Sequence, residues 1–160
     1  MTSDGGFSGF LPRRALLIGG VAFVTFLAIR EYRLTPPAYD GGSLSVQDAH
    51  EGAVAGDLVL IDIRTPQEWR ATGIGEGAHP IDMRRADFVQ AMVDAAGPDR
   101  NRAIALICAR GVRSARLSLE LAEAGFANIV DVPEGMLGSR AGPGWVKAGL
   151  PVRDYDGVAG

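Results

Sequence analysis

Hydrophobic positions along the chain follow three regimes. Residues 15–29 are apolar on all faces of a helix, interrupted only by Gly19, Gly20 and Thr25. Residues 34–42 lose that character and carry Pro36, Pro37, Gly41 and Gly42, the composition of a linker. From residue 43 to 153, short apolar runs alternate with stripes of helical period. The runs at 58–63 and 103–107 read as buried strands, with further strands expected at 78–81 and 128–132. Ser45 is placed to cap a short helix through His50. Thr65-Pro66-Gln67-Glu68 is a capping box with proline at the first helical position, so a short helix starts there and carries Trp69. Residues 86–96 form a helix stopped by Gly97 and Pro98, and residues 114–124 form the strongest helix, ended by Gly125. One more helical turn is expected at 144–148. Strands alternating with helices define an α/β fold, a parallel sheet with helices on both faces. Ligands of such sheets sit at the carboxyl ends of the strands.

The N-terminal regime, residues 1–33, is set apart from this domain. Its apolar run 15–29 is short for a bilayer span, which needs about 20 residues. It is long for a signal-peptide core of about 7–15 residues. Arg13 and Arg14 before Ala15, Leu16 and Leu17 resemble a twin-arginine export signal. No small-residue cleavage site follows, so an uncleaved membrane anchor is expected over a removed signal, with a buried N-terminal helix as the third reading. The positive charges on the two sides balance. The short head and the paired arginines point to a bacterial inner membrane, with the domain on the periplasmic side. Residues 154–160 are a polar tail.

Composition narrows the chemistry. The 160 residues suffice for one ordinary domain, and 47% hydrophobic with 22% charged residues is a globular balance. A net charge of -3 argues against nucleic acid as a partner. One cysteine excludes an intrachain disulfide and a four-cysteine metal site, and two histidines make a His-rich metal centre improbable. No cofactor is expected. Cys108 is therefore an inert core residue or a nucleophile.

Its setting favours the nucleophile. Cys108 follows the strand at 103–107 and precedes Arg110, Gly111 and Arg113, after which a helix opens at Ser114. The sulfur is thus expected at the carboxyl edge of the sheet, facing the positive end of a helix and a nest of turn amides. Free thiols ionise near pH 8.5, and such surroundings lower that value. A helix terminus contributes about 0.3–2 kcal/mol, and an adjacent arginine adds to it.

The segment Cys108-Ala109-Arg110-Gly111-Val112-Arg113-Ser114 resembles the active-site loop of rhodanese-type sulfurtransferases. Three more segments in the right order are similar to that family: residues 60–69, residues 73–81, and the C-terminal stretch with Glu134, Gly135, Trp145 and residues 148–152. Ile74 stands where the family often has His, and Glu134 where it often has Gly. The resemblance implies a rhodanese-like domain over residues 43–153, preceded by one hydrophobic helix. It implies transfer of sulfane sulfur from thiosulfate or a persulfide to a thiophilic acceptor through a persulfide on Cys108. Arg110, Gly111, Val112, Arg113 and Ser114 would form the substrate loop, with Arg113 bracing it or binding the anion and Arg110 on the rim. Asp62 and Arg64 would support the loop, and an ion pair of Arg64 with Glu68 is expected. His50 and His79 are read as bystanders. The partners so implied are a small-molecule sulfur donor, a thiol or other thiophilic acceptor, and the membrane through residues 15–29.

Two other functions compete. Cysteine phosphatases and arsenate reductases use a C-x5-R loop, whereas four residues separate Cys108 from Arg113 here. A non-catalytic rhodanese-like docking module at the membrane would not require Cys108, which is present; a sulfur-carrier module at the membrane is the other form of this alternative.

Overall fold

The structure is a computed structural model that describes residues 13–157, with side chains from residue 21 onward. The chain divides into two compact units, Met1–Thr35 and Pro36–Gly160. The described part of the first is one helix, α1 (Arg13–Leu34). Val21, Phe23, Val24, Phe26 and Ile29 are exposed on it. Among the described residues no helix is long and apolar enough to cross a membrane, so the anchor expected over 15–29 is not supported as a span. The helix extends past the apolar run into Arg30, Glu31 and Arg33, whose charges shorten its apolar length.

The second unit holds a four-stranded parallel sheet in the order β3-β1-β4-β5, comprising β1 (Val59–Asp62), β3 (Ala78–Pro80), β4 (Ile104–Ile107) and β5 (Ile129–Asp131). Every residue of β1 and β4 is buried, as both faces are covered. Alternation along the strands divides the core in two. Ile61, Leu106 and Ile129 face one layer, packed with Phe88 and Met92 of α4 (Phe88–Ala96) and Leu117 and Leu121 of α5 (Val112–Glu123). Leu60, Ala105 and Ile107 face the other. There they meet Val46 and Ala49 of α2 (Val46–Ala55) and Trp69 of α3 (Pro66–Thr72). This is the α/β sheet flanked by helices that the periodicity predicts.

Local chemistry sets the element ends. The Thr65 capping box forms with both reciprocal bonds, and Pro66 opens α3. Ser45 Oγ accepts the Asp48 amide at 3.1 Å to start α2, which runs past His50 to the left-handed Gly56. The helix expected from residue 114 begins two residues earlier, because Gly111 adopts the cap conformation at φ 81°. Residues 144–148 form a turn with one helical bond, Ala148 N to Gly144 O at 2.9 Å, in place of the expected helix. A second, antiparallel sheet pairs β2 (Ile74–Gly75) with β6 (Val152–Arg153), tying the C-terminal segment to the loop after α3.

Glu134 is buried and joins two distant segments. Its Oε1 accepts the Val46 amide at 3.2 Å and its Oε2 the Gly144 amide at 3.1 Å. The carboxylate therefore sits on the first turn of α2, where the helix dipole favours it.

Candidate active site

The site lies where β4 ends and α5 begins. Cys108 is the first residue beyond the strand, and its side chain is 1% exposed. The chain then turns through Ala109 and Arg110 to Gly111, whose amide points back at the sulfur with N···Sγ 3.2 Å. The Ser114 hydroxyl reaches Sγ at 3.6 Å from the first turn of α5 and the Gly111 carbonyl at 3.1 Å. The sulfur thus sits on the positive end of a helix, with one amide and one hydroxyl directed at it.

A second loop clamps this turn. The Met136 amide donates to the Cys108 carbonyl at 2.8 Å and the Leu137 amide to the Ala109 carbonyl at 2.9 Å. Contact is close enough that a Cβ on Gly111 would stand 2.2 Å from the Pro133 carbonyl oxygen. Gly111 is required twice, for its positive φ and for this approach.

The two loop arginines differ. Arg110 is exposed. Arg113 is half-buried and forks Glu68, with Nη1 to Oε2 at 3.0 Å and Nη2 to Oε1 at 2.6 Å. Of the two roles expected for Arg113, bracing is the one with a contact to carry it. Burial opposes the ionisation of Glu68, but hydrogen bonds and charge from Arg113, with the Thr65 cap, outweigh it and hold the carboxyl down to about 2. The Glu68 hydrogen bond correspondingly raises Arg113, against desolvation, with a further contribution from the negative charge available at Cys108. Val112 is half-buried beside the turn.

Asp62 and Arg64 are both buried and pair with each other, the guanidinium forking the carboxylate at 2.9 and 2.7 Å. Arg64 also donates to Thr72 Oγ1 at 2.7 Å and to the Gly73 carbonyl at 2.8 Å. The ion pair expected between Arg64 and Glu68 is absent. Arg64 meets only the Glu68 backbone carbonyl, at 3.4 Å, because Asp62 is nearer in sequence and Arg113 takes the Glu68 carboxylate. The Asp62–Arg64 pair fixes the end of β1 to α3, and its hydrogen bonds stay within residues 62–73.

Three features escape the sequence reading. Glu68 is a brace of the cysteine loop as well as a cap. Asp82 and Arg84 form an exposed fork at 2.9 and 2.6 Å. The Arg84 hydrogen bond lowers Asp82, with a smaller contribution from Arg113. Asp131 is a buried carboxyl near Ser114. The first carried a signal, since a glutamate committed to a capping box still has a free carboxylate edge. The Asp82–Arg84 fork is local, two residues apart, whereas the burial of Asp131 depends on long-range packing. His50 pairs with Glu76 at 2.8 Å and His79 is exposed, so neither attends the sulfur. Among the described residues no group of three or more His, Cys, Asp or Glu side chains could hold a metal.

A strand-ending cysteine thus lies beneath the amide of a glycine turn, at the start of a helix, on the carboxyl edge of a parallel α/β sheet. The Rhodanese-like domain family matches residues 45–140, and the chain belongs to that family. Among solved structures, the polysulfide-sulfur transferase homodimer of Wolinella succinogenes is similar at 24% identity and TM-score 0.58, over 88% of this chain and 95% of that one. A rhodanese-related protein of Thermoplasma volcanium is 28% identical with TM-score 0.52, over 71% of this chain and 99% of that one. The thiosulfate sulfurtransferase of Pseudomonas aeruginosa is 22% identical with TM-score 0.55, over 71% of this chain and 20% of that one. No curated protein matches the sequence significantly.

Proposed function

We propose that the protein is a sulfurtransferase working through a persulfide on Cys108. The observation that carries this reading is the 3.2 Å contact of the Gly111 amide with Sγ at the head of α5. In the first half-reaction the Cys108 thiolate attacks the outer sulfur of thiosulfate or of a persulfide. The donor S–S bond breaks, sulfite or a thiolate leaves with the bonding pair, and the sulfur stays on Cys108. In the second, a thiophilic acceptor attacks that outer sulfur and the Cys108 thiolate returns. The Gly111 amide and Ser114 hydroxyl are placed to hold negative charge on sulfur in both states. Arg113 is held by Glu68, so Arg110 is the loop cation left to meet a charged donor.

Attachment to a bacterial inner membrane through residues 15–29, with the domain on the periplasmic side, belongs to the same proposal. The exposed apolar side chains of α1 and the arginines that flank the run in sequence support insertion, with the bilayer thinning locally to match the short apolar length. Fractionation of the full-length protein tests it, and a wholly soluble chain would sink it.

The chemistry is tested by intact mass. After incubation with thiosulfate the protein should gain the mass of one sulfur atom, and lose it to cyanide or a thiol. Cys108→Ser should do neither while unfolding at nearly the same temperature. A Cys108→Ser variant that still turns over would exclude the covalent route. A wild type that never takes up sulfur from thiosulfate or a persulfide would return the chain to a docking role.

A further inference from the structure

The loop that clamps the cysteine turn carries a surface that the transfer steps leave unused. Leu137 and Val146 are 45% and 46% exposed, and neither joins the two core layers. Both are nevertheless tied closely to Cys108. The Leu137 amide donates to the Ala109 carbonyl at 2.9 Å. The Val146 amide donates at 3.1 Å to the carbonyl of Met136, whose own amide holds the Cys108 carbonyl. An inorganic sulfur donor gains nothing from two exposed apolar side chains. A macromolecule that covers them removes their apolar area from water.

The same segments carry positive charge. Arg110 lies in the cysteine turn, Arg140 on the 138–143 loop and Lys147 directly after Val146, and all three are exposed. The Arg140 loop is pinned to the clamp. Ser139 Oγ donates at 2.7 Å to the Pro133 carbonyl, the group that abuts Gly111, and Ser139 and Gly142 bridge on either side of Arg140 and Ala141. The ion pairs of the described residues include none of the three cations, whereas Arg113 is taken by Glu68. Segments 109–113 and 133–149 hold one carboxylate, Glu134, which is buried and engaged by the Val46 and Gly144 amides. The whole chain has a net charge of -3, so this cationic face is local and runs against the overall balance.

We propose that this face docks a second protein, one that presents its sulfur-exchanging thiol from an acidic surface with an apolar centre. Charge complementarity selects the occupant. Carboxylates of the partner meet Arg110, Arg140 and Lys147, and its apolar side chains cover Leu137 and Val146. The face adjoins the turn that holds Cys108, so docking brings the partner's thiol to the sulfur already oriented. Arg110 serves both halves of the cycle, because a small charged donor leaves before the partner arrives. The inference rests on transfer at Cys108, but docking is measured without any sulfur transfer.

Two short peptides serve as probes, one with glutamates and a leucine around its cysteine, the other with lysines and a leucine, each activated as a pyridyl disulfide. The Cys108 thiolate attacks the peptide sulfur, the S–S bond breaks, and pyridinethiolate leaves with the bonding pair and is followed by its absorbance. Cys108 is the only cysteine, so the rate with the full-length protein reports on it alone. The acidic peptide should react roughly tenfold faster than the basic one at low salt, and the gap should close toward about 0.5 M salt. Arg140→Glu combined with Lys147→Glu should invert the preference and leave alkylation by neutral iodoacetamide unchanged. Either single substitution, which should narrow the gap, replaces the pair if it does not fold. Equal rates for the two peptides with wild type overturn the proposal, as does a preference that survives the double substitution. Equal slowing toward iodoacetamide overturns it too, because the charges would then act on the thiol. Binding to phosphatidylglycerol vesicles that falls in the double variant, with the peptide preference unchanged, would make the face a membrane contact and overturn it as well. Sulfur loading from thiosulfate or a persulfide needs no partner and is scored separately. Its failure sinks the transfer reading, whereas loading with equal peptide rates sinks the docking face alone.

Discussion

Arg113 and Glu68 form a two-point ion pair at 3.0 and 2.6 Å that joins the first turn of α5 to the first turn of α3. Two elements that carry no backbone bonds to each other are thereby held on either side of the carboxyl edge of the sheet. Glu68→Gln keeps the shape and removes the charge. It should destabilise the domain at neutral pH by about 1 kcal/mol, a modest figure because both side chains are about a third exposed. Glu68 is depressed to about 2 from an ordinary 4.5. Its contribution is therefore complete above about pH 4.5 and lost as pH falls through about 2. Urea titrations of both proteins should diverge at neutral pH and converge in acid.

Arg110→Ala should impair thiosulfate more than a neutral persulfide donor. Arg110 is the exposed cation of the loop, whereas Arg113 is committed to Glu68. A charge-assisted contact of about 1.5 kcal/mol corresponds to roughly a tenfold loss in kcat/KM. Equal losses for the two donors would mean that the loop, and not donor recognition, had changed.

Gly111→Ala should remove sulfur transfer and lower stability together. Its φ of 81° disfavours any side chain, and the new Cβ would stand 2.2 Å from the Pro133 carbonyl oxygen. The left-handed conformation alone costs about 1–2 kcal/mol. The clamp between residues 108–110 and 133–137 must open to relieve the contact, so the loss should exceed that figure. Calorimetry checks the stability and intact-mass sulfur loading checks the activity. An active, stable Gly111→Ala would refute the close packing.

The sheet, its flanking helices and the cysteine turn were legible because they are written locally. The Thr65 to Glu68 capping box and the strand run ending at Ile107 each lie within a few residues. Side chains that choose among distant partners were not. Arg64 had carboxylates two and four residues away, and only the packed structure shows Asp62 taking it while Arg113 takes Glu68. β2 and β6 are two residues each, and their pairing spans most of the domain. No periodicity announces such a pair. Asp131 reads in sequence as an ordinary polar strand end, and its burial arises from residues 39–44 crossing over it.

Arg64→Met should be among the most destabilising single changes in the domain. It strands the Asp62 carboxylate, which is fully buried and is paired with the Arg64 guanidinium. Breaking a buried pair on one side costs about 3–5 kcal/mol. Asp62→Asn combined with Arg64→Met removes both charges and should recover much of that loss. Chemical denaturation of the single and double variants separates these cases. If the double variant is no better than the single, the guanidinium bonds to Thr72 and Gly73 hold the site, and the ion pair does not.

The Asp131 carboxyl gives stability a pH dependence opposite to that of Glu68. Burial raises it from 3.8 in the free state to about 6 in the fold, so the fold prefers the protonated form. A raised carboxyl contributes stability that is complete below about pH 3.8 and is lost as pH rises through about 6, with no further loss above. The difference of about two units, at ~1.36 kcal/mol each, is on the order of 3 kcal/mol. Asp131→Asn carries no such ionisation. Its stability relative to wild type should rise between about pH 4 and about pH 6 and then level off. Because Glu68 already contributes fully above about pH 4.5, the two effects overlap little and can be read from one series of urea midpoints. A stability difference between Asp131→Asn and wild type that stays flat across that window would mean that the buried carboxyl is satisfied as an anion.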